Sequence, residues 1–313
     1  MAYFTGQATS FQDLLNVLVN ACTNQGWTYA DDILSKGNAF VRPYVATDSG
    51  SNGAGLCVQG GTGKSGSSLV NPSVTIPRLG RHSSGANGVD VVFPCSYNIH
   101  ICTNPDEVYL VVNFSIDKFY YLAFGLSSIP LTGTGLWLGA TAPVSRNTPY
   151  GWSVSLNGSG VYGGYNVPSG LFYVHASSNN PLKEVIHTGL NSDVNPTGWQ
   201  ETVKGTPTLV GYVGGLATMP RMQYLPSKWS DNAVLLPIQV LNSVTNNKVA
   251  LVADLSYARY VRIDNFEPNQ IIQFGGEQWK IYPFYKKNTV NRDGGNNLDH
   301  TGTFGWAIKL DSP

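Results

Sequence analysis

Apolar positions recur at helical spacing near the start of the chain. Phe11, Leu14, Leu15, Leu18 and Cys22 follow the i, i+3, i+4, i+7 rule of an amphipathic helix. Ser10 stands where an N-cap belongs, and Asp13 three residues on suits a capping box. Gly26 is placed to end the helix in a left-handed cap, and Trp27 to pack it onto the body. After a turn at Lys36-Gly37-Asn38 the period changes to two, which predicts a strand over 39–45.

From there on the apolar pattern is that of strands. Short strands are expected at 56–59 and 74–76, within a Gly/Ser/Asn-rich stretch over 47–90. Stronger ones follow at 99–102, 108–116 and 119–126, with Asp117-Lys118 as a tight connection between the last two. Residues 127–232 form a loop-rich excursion with weak periodicity; 136–141, 171–175, 184–187 and 209–213 are its strand candidates. Regular alternation returns at 233–244, 248–253 and 257–264, with Asn246-Asn247 as a turn, and continues through 278–287 and 300–308. Trp279 and Ile281 share one face of their strand, and Phe304, Trp306 and Ile308 share one face of theirs. All five are expected in one common core.

These elements define a mostly-β chain: a β-sandwich or distorted barrel with one N-terminal α-helix and long Gly/Ser/Asn-rich loops. We read 1–313 as a single β-rich domain. Residues 1–46 supply the helix and a strand packed on it, 127–232 an elaboration, and 233–313 a C-terminal β block. The helix face of Phe11, Leu14, Leu15 and Leu18, together with Trp279, Ile281, Phe304, Trp306 and Ile308, is the predicted core.

Composition narrows the function. Of 313 residues 42% are hydrophobic, enough for a large core. Charged residues are 12%, roughly half of the ~25% usual for soluble proteins. A neutral, polar surface tolerates permanent neighbours better than a charged one does. The formal net charge is zero, and the densest basic spot, Lys286-Lys287 with Arg292, is too small for a phosphate stripe; no nucleic-acid partner is expected. No apolar run approaches the ~18 residues of a membrane span, and MAYFTGQATS lacks the features of a signal peptide. Cys22, Cys57, Cys95 and Cys102 are too scattered for a disulfide scaffold. An odd separation puts Cys95 and Cys102 on opposite faces of one strand, so buried thiols are expected.

Candidate chemistry falls away motif by motif. Gly60-Gly61-Thr62-Gly63-Lys64-Ser65 resembles a phosphate loop, but Val58 stands where its first Gly belongs and Gly66 and Pro72 preclude the helix that must follow. His82, His100, His175, His187 and His300 show no metal-ligand spacing, and no metal or other cofactor is expected. Asp31-Asp32 read as the surface of a turn, and Asp106-Glu107 as the solvated start of a strand. Asp293, Asn296, Asn297 and Asp299 read as an ordinary turn, because the Gly pair breaks calcium-loop spacing. Aromatics remain: 7 Trp, 17 Tyr and 12 Phe. Trp152, Tyr162, Tyr165, Trp199 and Trp229 lie among Gly and Asn, as anchors of long loops, subunit contacts or glycan contacts.

Several blocks carry a family resemblance. At one end stand Ser10-Phe11-x-Asp13-Leu14-Leu15, Gly26-Trp27 and Ile33-Leu34-Ser35-Lys36-Gly37. In the middle lie Glu107-Val108-Tyr109-Leu110-Val111-Val112-Asn113 and Leu122-Ala123-Phe124-Gly125. Toward the other end follow Val252-Ala253-Asp254-Leu255, Ala258-Arg259-Tyr260-Val261-Arg262, Trp279-Lys280-Ile281-Tyr282-Pro283-Phe284, Lys287-Asn288 and Gly302-Thr303-Phe304-Gly305-Trp306-Ala307-Ile308. This layout resembles virion structural proteins of tailed bacteriophages. The resemblance implies a non-enzymatic component of the particle, tail-associated at the tip or baseplate, with copies of itself and other virion proteins as partners. It further implies synthesis in the host cytoplasm. A neck, collar or capsid-exterior component, or a module binding a host-surface glycan or receptor, is the alternative; a carbohydrate-active depolymerase is a third.

Overall fold

The computed structural model describes residues 1–47, 54–80, 90–116, 118–143, 184–190, 197–202, 212–214, 234–244, 248–263, 265–283 and 304–310. Among these residues the protein is mostly β, with one helix near the N-terminus. In chain order the described elements begin β1 (Ala2–Ala8), α1 (Phe11–Thr23), β2 (Thr28–Ala30), β3 (Ile33–Lys36), β4 (Ala39–Ala46), β5 (Gly55–Gly61), β6 (Gly63–Ser65), β7 (Ser68–Val70) and β8 (Pro77–Gly80). Then come β9 (Cys95–Cys102), β10 (Glu107–Ser115), β11 (Lys118–Leu126), β12 (Leu136–Ala140), β13 (Ala142–Pro143), β14 (Glu184–His187), β15 (Trp199–Thr202) and β16 (Tyr212–Gly214). The series closes with β17 (Leu236–Val244), β18 (Lys248–Arg262), β19 (Ile271–Phe274), β20 (Glu277–Pro283) and β21 (Phe304–Leu310).

The helix forms as its sequence dictates, with one shift. Ser10 is extended, and its hydroxyl accepts from the Asp13 amide at 3.1 Å. The Asp13 carboxylate reaches back to the Thr9 amide at 2.9 Å, one residue earlier than a capping box requires. Gly26 takes a φ of 82°, and Trp27 returns its amide to the Cys22 carbonyl. Leu14, Leu15 and Leu18 are buried, while Phe11 is half-buried and packs on Phe93.

Three sheets are present among the described residues. The longest runs β1-β9-β10-β11-β12-β14-β15-β16-β17-β18-β21-β20-β19; a second runs β13-β8-β5-β4-β3-β2; β6 and β7 form a small hairpin. The long sheet folds over itself as a half-barrel. Strands β9 to β12, next to its β1 edge, are covered on both sides. One face lies on α1 and the second sheet, where Val108, Leu110, Val112, Leu122, Phe124, Leu136 and Leu138 meet Leu14, Leu18, Leu34, Val41, Leu56 and Leu79. The other face lies on β17, β18, β20 and β21, where Tyr109, Val111, Tyr121 and Trp137 meet Val240, Val252, Tyr260, Tyr282, Trp306 and Ile308. Burial on both faces explains why β10 and β11 read as near-continuous apolar runs rather than an alternation.

Some sequence expectations are corrected. β1 was not foreseen; it pairs antiparallel with β9, Tyr3 opposite His100. No strand forms over 74–76; the strand starts at Pro77, a position that tolerates a missing amide. Segments 248–253 and 257–264 join into one 15-residue strand, β18, with an irregularity in its middle. The C-terminal block divides between two cores. Register pairs Tyr282 with Trp306, and Ile281 with Ala307. Trp306 and Ile308 therefore face inward with Tyr282, while Trp279 and Ile281 pack on the opposite face with Val261, Ile263 and Ala307. The alternation within each strand is as expected; the shared core is not. The side chain of Phe304 lies outside the described residues.

Candidate functional site

A cluster of buried titratable side chains gathers between the two halves of the long sheet. Glu107, the first residue of β10, is fully buried, which overturns its reading as a solvated strand start. Its carboxylate accepts from the Tyr109 hydroxyl at 2.5 Å and from the amides of Ser256 and Tyr257 at 2.8 and 3.1 Å. Burial pushes its pKa up to about 7, against the pull of those donors and of Arg259. Burial, the carboxylate and Cys102 hold the Tyr109 phenol well above its ordinary value, so it stays a donor. Glu184 on β14 is also fully buried and accepts from the Tyr121 hydroxyl at 3.2 Å. Trp306 lies against both tyrosines, with ring centroids 5.6 Å from Tyr109 and 5.1 Å from Tyr121.

A second group lies where the long sheet's opposite ends approach. His100 Nε2 bonds to the Tyr282 hydroxyl at 2.8 Å, and Tyr3 stands 4.9 Å from the imidazole. Lys280 Nζ donates to the Tyr3 hydroxyl at 2.7 Å and to Asn98 Oδ1 at 3.0 Å, linking β20 to β1 and β9. Burial, helped by the Lys280 charge, lowers the His100 pKa to about 3, so the ring is neutral at any ordinary pH. Asn98 and His100 alternate along β9 with the core residues Ile99 and Ile101. That polar period inside an apolar strand was the available sequence signal for this group. Glu107 had none, because its amide partners lie about 150 residues away.

Chemically, the two groups are built to hold rather than to react. A carboxylate with a pKa near 7 can exchange protons at neutral pH, but Glu107 touches protein on every described bond and has no exposed surface. Burial pushes the thiols of Cys57 and Cys95 up to about 12 and 11, and that of Cys22 higher still, so none supplies a thiolate nucleophile. All four cysteines are buried and none forms a disulfide, with Cys95 and Cys102 in different cores. Among the described residues no cluster of His, Cys, Asp or Glu has the arrangement of a metal site.

The candidates named from sequence are placed as follows. Trp199 is not an exposed contact residue: it is buried in the core beside His187, and its Nε1 donates to the Asn71 carbonyl at 2.8 Å. A Cβ on Gly60 would lie 2.7 Å from the Trp199 ring and from Leu138, so glycine there makes room for the indole. Trp152, Tyr162, Tyr165 and Trp229, and the oxygen-rich loop at 293–299, lie outside the described residues. The phosphate-loop look-alike is strand and hairpin: Gly60 and Gly61 end β5, Lys64 sits on β6, and its Nζ bonds the Ala30 carbonyl at 3.1 Å and Asp31 at 2.7 Å. Asp31 and Asp32 form the two-residue turn between β2 and β3, both with positive φ.

Compared with models of known protein families and with curated proteins, the chain matches none. No helix among the described residues is long and apolar enough to cross a membrane.

Proposed function

We propose that the chain is a non-enzymatic structural component of a tailed-bacteriophage virion, tail-associated at the tip or baseplate. It acts through contacts with copies of itself and with other virion proteins in a symmetric assembly. One observation carries this reading: among the described residues the carboxylates of Glu107 and Glu184 and the imidazole of His100 are enclosed and bonded to protein, while an edge strand presents apolar side chains outward. Ile271 and Phe274 on β19 are about half exposed, at 52% and 49%. Among the described residues β19 pairs with β20 alone, at the end of the long sheet. Protected edges carry charges, prolines or bulges, and the sequence Ile-Ile-Gln-Phe of β19 has none of these. Such an edge suits a permanent neighbour. The low charge of the chain, its resemblance to phage virion proteins and its buried cysteines without disulfides, as expected after synthesis in a host cytoplasm, support the same reading.

The test is a reconstruction of the purified particle. The expected result is a ring or cluster of symmetric copies at the tail, each burying more than ~1,000 Å² against its neighbours. Density at the neck, collar or capsid exterior would move the component; a groove of loop aromatics occupied by glycan would make it a receptor-binding module. Absence from the particle, or hydrolysis of a host polysaccharide by the purified chain, overturns the proposal.

A further inference from the structure

The joint between the two halves of the long sheet turns on one carboxylate. Along β17 and β18 the register passes from Gln239 opposite Asp254 to Pro237 opposite Arg259, so residues 255–258 of β18 stand against Ile238. A bulge of this kind takes amides out of the ladder. Here the Ser256 and Tyr257 amides turn to Glu107, and the Tyr257 hydroxyl donates to the carbonyls of Thr103 and Asn104 in the turn before β10. The bulge is thereby docked on the start of β10.

We propose that Glu107 is a proton-operated latch: neutral, it holds the β18 bulge against β10, and ionised, it releases the bulge toward water. Facing the carboxyl are Tyr109 from its own strand and the two bulge amides from β18. Arg259 acts on it only through its charge, its guanidinium donating to the Leu255 and Ala258 carbonyls of the bulge and lying over Trp279 on the other face of β18. Cys102 of β9 acts on Tyr109, and the adjacent Asp106 pairs with Lys36 at 2.7 Å. The Tyr109 hydroxyl, at 2.5 Å, can donate to the carboxylate or accept from the carboxyl, so this bond survives either state. Ionisation instead places a charge where the sheet halves exclude water, and opening relieves that cost. With a closed-state pKa of about 7 and an ordinary value of 4.5, the closed form binds the proton more tightly. Opening therefore increases as pH rises across that window and levels off above it.

Hydrogen exchange tests the latch. After correction for intrinsic rates, protection of the Ser256 and Tyr257 amides should fall roughly 50-fold between pH 5 and pH 8 in the wild type. In Glu107→Gln, which keeps an acceptor oxygen and cannot ionise, protection should not change with pH. A flat wild-type profile, or the same slope in the variant, overturns the latch. Should the variant fail to fold, the carbon resonance of the Glu107 carboxyl in the wild type decides: a midpoint above pH 6 sustains the proposal and one below pH 6 ends it.

Discussion

Strands β10 and β11 present two faces to two different cores. Toward α1 and the second sheet they offer Val108, Leu110, Val112, Leu122 and Phe124. Toward β17–β21 they offer Tyr109, Val111, Phe119 and Tyr121, joined by buried Glu107, Glu184 and His100. The first face is held by area removed from water, which is non-directional and tolerates repacking. The second must satisfy each hydroxyl, carboxylate and imidazole it encloses, so it fixes position as well as contact. The same strands thus combine a forgiving face with an exacting one.

The largest test of the contrast is removal of the exacting side. Deleting residues 300–313 takes out β21, which lies between β18 and β20 and carries Trp306 and Ile308. The expected outcome is insoluble or unfolded protein; a soluble truncation that melts like the whole chain would show that the inner face does not need its cover. Next, Trp306→Ala should cost ~3–5 kcal/mol in denaturant titration, and Leu110→Ala ~2–5 kcal/mol. These truncations alone do not separate the faces. Conservative changes do: Leu110→Met should cost under ~1.5 kcal/mol, whereas Tyr109→Phe removes one of the three donors to buried Glu107 and should cost ~1–3 kcal/mol. If the two cost the same, the contrast fails.

A smaller, signed effect is pH dependence confined to the inner face. The folded His100 pKa lies below its ordinary 6.5, so its stabilisation is full above that value and declines as pH falls toward about 3. Glu107 runs the other way: its contribution is full below 4.5 and is lost as pH rises through about 7. Urea midpoints between pH 7 and pH 5 should therefore rise in His100→Phe, where Glu107 acts alone, and fall in Glu107→Gln. Parallel slopes in the two variants would show that other groups govern the profile. The smallest effect belongs to the periphery. Lys64→Ala breaks a partly exposed ion pair with Asp31 and should cost no more than ~1 kcal/mol, with no thermal shift on adding ATP to either form.

Much of the forgiving face could be read in advance and little of the exacting one. Leu14, Leu15 and Leu18 announce their helix because a local 3.6-residue period needs no partner to be seen. The β10–β11 pair is equally local, its strands joined by a short connection. β1 escaped because its inward positions, Ala2, Phe4, Gly6 and Ala8, include a single large side chain. Glu107 looked like surface because its burial depends on a bulge in a strand far along the chain. The division of Trp279 and Ile281 from Trp306 and Ile308 rests on the relative register of two strands, which periodicity within each cannot supply.

The place of β21 has a consequence in time. From β18 the chain passes to β19 at the rim and back through β20 before β21 fills the slot between β18 and β20. Until it arrives, the facing edges of β18 and β20 are bare, and the β19–β20 hairpin has no ladder to the rest of the sheet. Closing the sheet is thus a late, non-local step, slow by the ordinary relation between contact separation and folding rate. During that wait β21 of another molecule competes with the chain's own strand for the slot, the more so the higher the protein concentration. Refolding at rising protein concentration should accordingly divert a growing fraction into strand-exchanged dimers.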